Sequence, residues 1–447
     1  MKTIIRNANI VNEGKIFNGS VVIENDLIKE VIKGSSLNAN WNNAEIIDAS
    51  GKYLLPGVID DQVHFREPGL TYKADIYTES KAAVSGGVTS YMDMPNTIPN
   101  AVTNEILEEK YKIASEKSFA NYSFYIGASN DNIEELKRLD NKSVCGIKVF
   151  MGSSTGNMLV NNLKTLQKIF SLNSLITVHC EDEETIKKNL EEQRNIYGEN
   201  IPISQHPIIR SSEACYKSSS YAVALALKYN TRLHILHLSS AEEMNLFENS
   251  LPLEKKKITA EVCIHHLWFS EEDYKDKGTF IKWNPAIKTL KDRDALWEAL
   301  IDGRIDVIAT DHAPHTFEEK NSTYLKAPSG GPLIQHSLVA MLEFYHQKKI
   351  SLETIVQKMA HAPAICYNIQ RRGFIRPGFF ADLVLVDRNS PWTVSKSNIL
   401  SKCRWSPFDG NTFHSRITNT FVNGKMVFGN GVFDESFKGR RLYFDRE

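Results

Sequence analysis

The chain has 447 residues, of which 42% are hydrophobic and 24% are charged, and its formal net charge at pH 7 is −1. This composition is typical of a globular protein, and the near-neutral charge gives no electrostatic reason to expect nucleic acid or an anionic membrane as a partner. We therefore expect a small-molecule substrate, and the length predicts one large barrel with an appendage, or two to three domains.

The amino-terminal segment predicts strands and not a targeting signal. MKTIIRNANIVNEGKIFNG alternates and breaks at polar residues, and it lacks the apolar core and small-residue cleavage site of a signal peptide. No apolar run of the chain approaches the ~20 residues that a membrane span needs. We expect a cytoplasmic protein with no membrane segment, whose six cysteines, which show no paired spacing, are reduced thiols in the core.

Eight apolar runs, separated by amphipathic stretches, predict β/α units around a parallel sheet. In chain order they are LPGVIDDQVHF, TSYMDMP, NYSFYIGA, VCGIKVFM, LITVHCE, RLHILHL, ITAEVCI and DVIATDH. The stretches IYTESKAAVSGG and TNEILEEKYKIASEK are typical of helices, and a glycine pair closes the first. Eight such units predict an α/β fold, a (β/α)8 TIM-type barrel over residues 56–364.

The two ends of the chain differ from the middle. ENDLIKEVI at one end and VNGKMVFGNGVF at the other carry hairpin patterns, and Asn-Gly pairs favour tight turns between strands. We expect residues 1–55 and 365–447 to form one small composite β domain.

The residues that can bind a metal fall at the carboxyl ends of the predicted strands, where a parallel barrel forms its site. These candidate ligands, one on each of five predicted strands, are His64, Lys148, His179, His237 and Asp311. On the first strand, DDQVHFREPG puts position 62 on the same face as His64, because side chains two apart point the same way. A pair of imidazoles there would be a common metal grip, but position 62 is Gln62.

Several of these residues have a structural interpretation as well. A single histidine at a strand end is more often a hydrogen-bonded structural residue, and we interpret His234 in this way, facing away from His237 if the strand is regular. Lys148 is either a buried lysine paired with an acid, or a lysine whose amine, made neutral by burial, takes up carbon dioxide as a bridging carbamate. His265 and His266 receive no assignment.

Longer motifs carry a resemblance to a known family. The chain contains HFREPG, GGVTSYMDMPNTIPN, GIKVFMGSS, VHCED, HPIIRSSEA, LHILHLSS, AEVCIHHL, NPAIK and IATDHAPHT, with RRGFIRPGFFADLVLVD and VNGKMVFGNG near its end. Over nearly its whole length it closely resembles the dihydroorotases of the amidohydrolase superfamily. This resemblance implies the barrel with its composite β domain, and interconversion of L-dihydroorotate and N-carbamoyl-L-aspartate in pyrimidine (UMP) synthesis.

The resemblance also implies roles for individual residues. Arg66 and Asn96 match the pair that holds the substrate carboxylate, and Asn284 and His315 match further substrate contacts. Asp311 matches the catalytic acid/base, which takes the proton of the attacking water and passes it to the departing nitrogen.

The metal pattern departs from the family at one position. Members of the family usually hold one zinc with two first-strand histidines, the lysine carbamate and the aspartate, and a second with the carbamate and two further histidines. Gln62 replaces the first histidine, so we expect one or two zinc ions, with Gln62 a weak ligand or a hydrogen-bonding neighbour. Some relatives place an acid just after the fourth strand instead, but here those positions are Gly152 and Ser153, which leaves Lys148 as the bridge candidate.

Two other interpretations stay open. Hydantoinases, dihydropyrimidinases and allantoinases share the barrel and the lysine but do not need the carboxylate clamp of Arg66 and Asn96. A non-catalytic, dihydroorotase-like partner of aspartate transcarbamoylase is favoured by Gln62 alone, and the remaining ligands argue against it. The resemblance further implies a homodimer.

Overall fold

The computed structural model describes residues 2–34, 44–152 and 157–446. Its strands are β1 (Lys2–Asn12), β2 (Lys15–Glu24), β3 (Leu27–Lys33), β4 (Glu45–Asp48), β5 (Tyr53–Pro56), β6 (Val58–Val63), β7 (Val88–Asp93), β8 (Asn121–Phe124), β9 (Ile126–Gly127), β10 (Ile147–Phe150), β11 (Leu175–His179), β12 (Arg232–Ile235), β13 (Ile258–Cys263), β14 (Val307–Ala309), β15 (Leu383–Asp387), β16 (Trp392–Thr393), β17 (Thr412–Phe413), β18 (Arg416–Val422), β19 (Lys425–Gly429) and β20 (Val432–Phe433).

The α-helices lie mainly between the strands of the middle part of the chain. They are α1 (Ile76–Ser85), α2 (Asn104–Lys117), α3 (Ile133–Lys137), α4 (Leu163–Phe170), α5 (Glu183–Tyr197), α6 (His206–Ile209), α7 (Ser212–Tyr229), α8 (Ile264–Trp268), α9 (Tyr274–Lys277), α10 (Leu290–Asp302), α11 (Phe317–Lys320), α12 (Ser337–His346), α13 (Leu352–Val356) and α14 (Ala362–Tyr367).

Parallel strands from β6 to β14 close into a barrel. β6, β7 and β8 pair in that order, and β9 to β14 pair in a second run, so that β8 and β9 are two parts of one predicted strand, interrupted at Tyr125. The ring closes where the amide of His64 donates to the carbonyl of His312 at 2.7 Å. The eight predicted strands therefore form the predicted (β/α)8 barrel, and their almost entirely buried side chains explain their continuous apolar runs.

Local capping explains where the barrel helices begin and end. The carboxylate of Asp75 accepts from the amide of Thr78 at 2.9 Å and starts α1, and Gly86 ends it by donating to the carbonyl of Ala82. The hydroxyl of Thr103 accepts from the amide of Ile106 at the start of α2. Both helices occupy the stretches that the sequence predicts.

A nine-stranded sheet joins the two ends of the chain. Its order is β20-β19-β18-β15-β5-β1-β2-β3, with β4 paired to β1, so strands from the first 56 residues lie beside strands that follow residue 382. A buried apolar cluster that includes Ile5, Ile10, Val21 and Leu385 covers one face. The division at residues 55/56 and 364/365 stays a prediction.

The Asn-containing turns of this sheet have the conformation that tight hairpins need. Asn423 and Gly424 have φ of 49° and 76°, and Asn430 and Gly431 have φ of 48° and 89°. Positive φ at both central residues is the property of the type I′ turn, which asparagine and glycine tolerate best. These turns connect β18 to β19 and β19 to β20.

Two further expectations concern the whole chain. All six cysteines are free thiols, five of them buried. Within the described ranges, no helix combines the length and the apolarity that a membrane crossing needs.

Candidate active site

The candidate ligands gather at the carboxyl ends of the barrel strands. His64 directly follows β6, Lys148 lies in β10, and His179 is the last residue of β11. His237 and Asp311 each follow the last residue of their strand, β12 or β14, by two positions. All but the half-buried His64 are buried, which keeps water from competing for their polar atoms.

Three residues of this region have backbone conformations that side chains other than glycine rarely adopt. Arg66, His237 and Asp311 have φ of 69°, 40° and 49°. Such conformations cost of order 1–3 kcal/mol each and persist only where the surrounding structure enforces them. The surrounding structure therefore enforces three unfavourable backbone conformations, at a cost in stability, and these direct the three side chains.

One half of the site is formed by His179 and His237. Nδ1 of His179 lies 3.0 Å from Nε2 of His237, and Nδ1 of His237 is buried without a hydrogen-bond partner. Burial lowers the pKa of His179 and holds that of His237 well below its usual range. Both imidazoles are thus neutral at neutral pH, which is the form that binds a metal.

The carboxylate of Glu181 fixes the position of His179. Its Oε2 lies 3.0 Å from Nε2 of His179 and also accepts from Arg210. Burial alone would raise the pKa of Glu181, but Arg210 and His179 lower it to about 2. Glu181 is therefore a buried anion that orients His179, and its place two residues after that histidine is the only sequence feature that could have indicated it.

Lys148 lies between the two halves of the site. It is 1% exposed, and no hydrogen bond or ion pair joins its amine to another described residue, although its Nζ lies 4.7 Å from the ring centroid of Phe150. Burial lowers the pKa of this amine to about 7, although Asp311 and Glu261 raise it. A large share of the amine is neutral near pH 7, which reaction with carbon dioxide requires.

The other half is formed by Gln62, His64 and Asp311. Oδ1 of Asp311 lies 3.2 Å from Nε2 of His64 and accepts from Nε2 of Gln62, also at 3.2 Å. The other ring nitrogen of His64, Nδ1, lies 2.7 Å from Oδ1 of Asn96. Because an amide oxygen accepts hydrogen bonds, this contact places the ring proton on Nδ1 and leaves the lone pair of Nε2 available to a metal. Gln62 thus contacts Asp311 where a histidine ligand would point.

Cys263 is a neighbour of this half that the sequence analysis did not identify. It ends β13, its thiol lies 3.7 Å from Oε1 of Gln62 and 3.3 Å from Oε1 of Glu261, and its pKa is raised well above the usual range by burial. It is a protonated thiol that lies closer to the carboxylate of Glu261 than to the amide oxygen of Gln62.

Arg66 lies beside this half with an unusual set of partners. Its Nε donates to the carbonyl of Pro314 at 3.0 Å, and its Nη2 lies 3.0 Å from Nε2 of His315. Nζ of Lys73 lies 2.9 Å from Nδ1 of His315, Oε2 of Glu319 lies 3.6 Å from the same nitrogen, and Nε2 of His315 lies 3.0 Å from the carbonyl oxygen of Ser329. The two groups that contact Arg66 here, a backbone carbonyl and an imidazole, are not carboxylates.

The remaining predicted contacts are near the same loop. Oδ1 of Asn284 accepts from the hydroxyl of Ser329 at 2.8 Å, which leaves the Asn284 amide nitrogen available. His265 stacks on Trp283 with ring centroids 4.5 Å apart, and Nε2 of His266 lies 3.1 Å from the carbonyl of Pro285. The histidine pair supports this wall of the site by packing.

A buried group beneath the site was missed by the sequence analysis. Asp61, His234 and Glu261 bring ligand atoms within 4.8 Å of one another and could hold a metal ion. In the structure, Nε2 of His234 lies 3.2 Å from Asp61 and 3.6 Å from Glu261. Burial alone would lower the pKa of His234, but these carboxylates raise it to about 9, so an imidazolium balances them.

The position of His234 corrects one expectation. It is a buried, hydrogen-bonded residue, with Nδ1 2.7 Å from the hydroxyl of Thr259, as expected. However, it faces the barrel interior, as His237 does, so the prediction that the two point in opposite directions is wrong. The regular strand ends at Ile235, and the left-handed turn at His237 breaks the alternation.

The alternative acid positions after β10 do not offer a ligand. Gly152 has no room for a side chain, because a Cβ there would lie 2.1 Å from the carbonyl oxygen of Glu181. Ser153 lies outside the described residues. Lys148 therefore remains the residue that could bridge two ions.

The donors around this site fit a metal. Imidazole nitrogens and a carboxylate oxygen are the ligands that zinc prefers, and Nδ1 of His237 is a buried polar atom with no hydrogen-bond partner among the described residues. The residues that could hold ions are His179 and His237 in one half, His64 and Asp311 in the other, and Lys148 between them.

Comparison with known proteins identifies the family. The profile of the amidohydrolase family matches residues 53–427, which is most of the chain. The chain belongs to the amidohydrolase family. Enzymes of this family generally use metal ions.

Similar proteins narrow the reaction class. The chain is 34% identical over 437 residues to a dihydroorotase of Wolbachia sp. subsp. Drosophila simulans, covering 96% of each. It is 32% identical over 417 residues to a dihydroorotase of Methanosarcina acetivorans, covering 91% of this chain and 88% of that protein. These relatives, with the family, make this amidohydrolase a hydrolase of cyclic amide C–N bonds.

Solved structures agree with the fold. A dihydropyrimidinase from Brevibacillus agri NCHU1002 is 27% identical, with a TM-score of 0.89 over 100% of both chains. An L-hydantoinase from Arthrobacter aurescens is 24% identical, with a TM-score of 0.90 over 97% of each, and this likeness concerns the fold alone.

Proposed function

We propose that this amidohydrolase is a zinc-dependent dihydroorotase, which interconverts L-dihydroorotate and N-carbamoyl-L-aspartate in pyrimidine synthesis. The names of the most similar curated relatives support this substrate. The observation that carries the proposal is the buried guanidinium of Arg66, which faces the site without an anionic partner.

A buried cation requires compensation, and no carboxylate of the described residues forms an ion pair with Arg66. It is 7% exposed, and burial lowers its pKa to about 10, although Asp311, Asp93 and Glu319 raise it from a longer distance. Its contacts are a backbone carbonyl and the imidazole of His315, and neither is an anion. The carboxylate of dihydroorotate would supply a directly bound anion in the planar geometry that a guanidinium matches.

Three further residues suit the same substrate. The amide nitrogens of Asn96 and Asn284 are neutral donors, because each uses its oxygen to accept another hydrogen bond. His315, whose Nε2 lies 3.0 Å from Nη2 of Arg66, adds a third polar group near the guanidinium. Holding the carboxylate and the ring polar atoms away from the reacting bond fixes the orientation of the scissile amide.

Asp311 is the proposed acid/base. Its Oδ1 accepts from Gln62 and lies 3.2 Å from Nε2 of His64, whereas Oδ2 has no hydrogen-bond partner among the described residues. Oδ2 can accept the proton of the attacking water and deliver it to the departing ring nitrogen, and ring closure runs these transfers in reverse. When bound, zinc supplies a water activated near neutral pH and polarises the carbonyl.

The proposed zinc ligands are His64, Lys148, His179, His237 and Asp311, with Lys148 carboxylated as a bridge. The isolation and lowered pKa of the Lys148 amine support the carbamate, since a permanently charged ammonium would repel a cation there. Gln62 is proposed as a hydrogen-bonding neighbour of Asp311 and not a strong ligand, because an amide oxygen is a neutral donor. One or two ions are compatible with this set.

The expected partners stay predictions. A homodimer, an association with aspartate transcarbamoylase and a cytoplasmic location follow from the resemblance or from sequence composition. The non-catalytic scaffold is disfavoured because the chain is an amidohydrolase that retains the other candidate ligands.

A hydantoinase or dihydropyrimidinase is the second candidate function. It is favoured by the 27% identical dihydropyrimidinase, which matches this fold over its whole length. The cyclic amides named by these enzymes lack the carboxylate of dihydroorotate, so they would leave Arg66 uncompensated.

A substrate panel separates the candidates. Zinc-loaded protein is assayed for ring opening of L-dihydroorotate, dihydrouracil, hydantoin and allantoin at equal concentrations. We expect kcat/KM for L-dihydroorotate to exceed the others by at least about 100-fold, the value of a well-made carboxylate contact of ~3 kcal/mol. A preference for a ring without the carboxylate would reject the proposal.

A further inference from the structure

A cavity lies at the end of the barrel opposite the candidate active site. Its volume is about 680 Å³, and Leu175, Arg232 and Thr259, at the amino-terminal ends of β11, β12 and β13, form part of its wall. Residues of the segments 253–257 and 364–374, together with Asp445 and Arg446, form most of the remainder. A cavity of this size can enclose a small organic molecule.

The wall of this cavity is strongly basic. Seven lysine and arginine side chains but only two carboxylates line it among the described residues. Two of the seven are compensated by acids outside the wall, since Lys256 pairs with Asp306 at 2.8 Å and Arg372 pairs with Asp382. A surplus of positive charge remains, and low-dielectric walls strengthen the potential that it creates.

Arg232 and Arg446 are the centre of this surplus. Neither forms an ion pair with a carboxylate of the described residues. Burial lowers the pKa of Arg446 to about 10, with Arg232 as the next cause, so the two guanidinium groups repel each other across the cavity. Two like charges held near each other, with no ion-paired carboxylate among the described residues, favour the binding of an anion.

The two arginines differ in the donors that they leave available. Arg446 donates to the backbone carbonyls of Val144, Cys145 and Tyr367, which fixes its position. Arg232 donates through Nη2 to the carbonyl of Cys366 at 2.6 Å. Its Nε and Nη1 have no protein acceptor among the described residues and are not sealed from solvent. The guanidinium of Arg232 is therefore fixed by one hydrogen bond and leaves Nε and Nη1 as donors available to the cavity.

We propose that this cavity binds a phosphate group, either free or carried by a small organic molecule. A dianion matches the surplus of cationic charge better than a single carboxylate does, and arginine forks bind phosphate oxygens in pairs. Lys255 and Lys257 stand at the rim, where they attract the anion. The apolar side chains of Leu253, Ile369 and Phe374 line the same cavity and suit an organic part.

Calorimetric titration of the full-length protein tests this site. Inorganic phosphate, ribose 5-phosphate and ribose are titrated at fixed ionic strength, because screening weakens contacts with exposed charges. We expect saturable binding of at least one phosphate probe and none of ribose. Tighter binding of ribose 5-phosphate identifies an organic phosphate, and equal binding identifies the free anion.

Substitutions localise the binding. Arg232→Gln is expected to weaken binding of the tighter-binding probe by roughly tenfold, because a charged hydrogen bond is lost. The double variant Lys255→Gln with Lys257→Gln removes two exposed charges at the rim. We expect it to weaken binding of the same probe about two- to fivefold. Because these two lysines are exposed, the double variant still tests the site if Arg232→Gln fails to fold.

Two controls separate this cavity from other anion sites. Lys187→Gln with Lys188→Gln removes the same charge from exposed positions of α5 and should leave the affinity unchanged. Arg66→Gln, in the candidate active site, should also leave it unchanged. Absence of binding, loss of binding in Arg66→Gln, or equal weakening in the control and rim double variants would overturn the proposal.

Discussion

The two halves of the candidate metal site use different means to hold their side chains. In one half, His179 and His237 are buried imidazoles whose nitrogens converge to 3.0 Å, and Glu181 supports His179 from behind. In the other half, His64 and Asp311 are joined at 3.2 Å, but Gln62 takes the position of a further imidazole and hydrogen-bonds to Asp311. The first half is complete, whereas the second depends on fewer ligands.

The difference shows how a site can lose a ligand without losing its shape. Gln62 donates to Asp311 through its amide nitrogen, and its amide oxygen lies 3.7 Å from the thiol of Cys263, so a polar side chain still contacts both residues at this position. The carboxylate that the proposal uses for proton transfer is therefore held in place by an amide. We expect the exchange to weaken the metal in this half more than it disturbs the chemistry of Asp311.

The largest effect should come from Asp311→Asn, which removes the proposed acid/base from the half that contains Gln62. We expect kcat for L-dihydroorotate to fall by roughly 10²–10⁴-fold, because the amide cannot carry the proton. Steady-state kinetics on zinc-loaded protein measures this. His265→Asn, which changes a stacked histidine of the neighbouring wall, is the comparison, and a fall of similar size there would argue against a special role for Asp311.

Lys148→Ala should disturb both halves together, since the proposed carbamate bridges them. Removal of residues that only support ligands typically costs about 10–100-fold in metal affinity, so loss of a bridging ligand should reach at least this range. Metal content after dialysis against a weak chelator gives the readout. In the protein without substitutions, we expect electron density for a carboxylated Lys148. A free Lys148 amine in metal-replete, active protein would contradict the bridge.

Arg66→Gln tests the substrate side of the weaker half without removing a candidate ligand. We expect kcat/KM for L-dihydroorotate to fall by about 10–100-fold, because one or two charged hydrogen bonds to the carboxylate are lost. Turnover of dihydrouracil, which has no carboxylate, serves as the internal control and should change little. Equal losses for both rings would mean that Arg66 supports the structure and does not recognise the substrate.

Gln62→His should have the smallest effect and makes the two halves more alike. An imidazole at this position adds a stronger ligand than an amide oxygen, so metal affinity in this half should rise, by about tenfold in chelator competition. Gln62→Ala is the matched comparison, because it removes the amide without adding a ligand. No gain in metal retention for Gln62→His over Gln62→Ala would show that position 62 does not reach the metal.

The sequence predicts the barrel well because its strands are buried on both faces. Continuous runs such as LITVHCE and ITAEVCI are short, rich in Val and Ile, and separated by helical stretches, which leaves few alternative architectures. The candidate ligands follow from the same argument, since parallel strands bring their carboxyl ends together. The Asn-Gly hairpins can also be predicted from the local sequence, because few residues other than asparagine and glycine tolerate the positive φ at both central positions.

The parts that the sequence does not predict depend on contacts between distant strands. Cys263 and Gln62 are 201 positions apart, and nothing in either strand indicates that the thiol lies beside the amide. The group of Asp61, His234 and Glu261 combines three strands in the same way. His234 was misjudged because alternation applies only while a strand stays regular, and the left-handed residue at His237 has no sequence pattern of its own.

The measurement that tests the central claim most directly is the rate of L-dihydroorotate hydrolysis by the purified protein, before and after removal of metal, and again after zinc is returned. We expect turnover that disappears with the metal and recovers with zinc, because His64, Asp311, Lys148 and the complete half retain it despite Gln62. Zinc bound in the site with no turnover of L-dihydroorotate would contradict the proposed substrate. Neither zinc nor turnover would mean that the missing imidazole cannot be replaced.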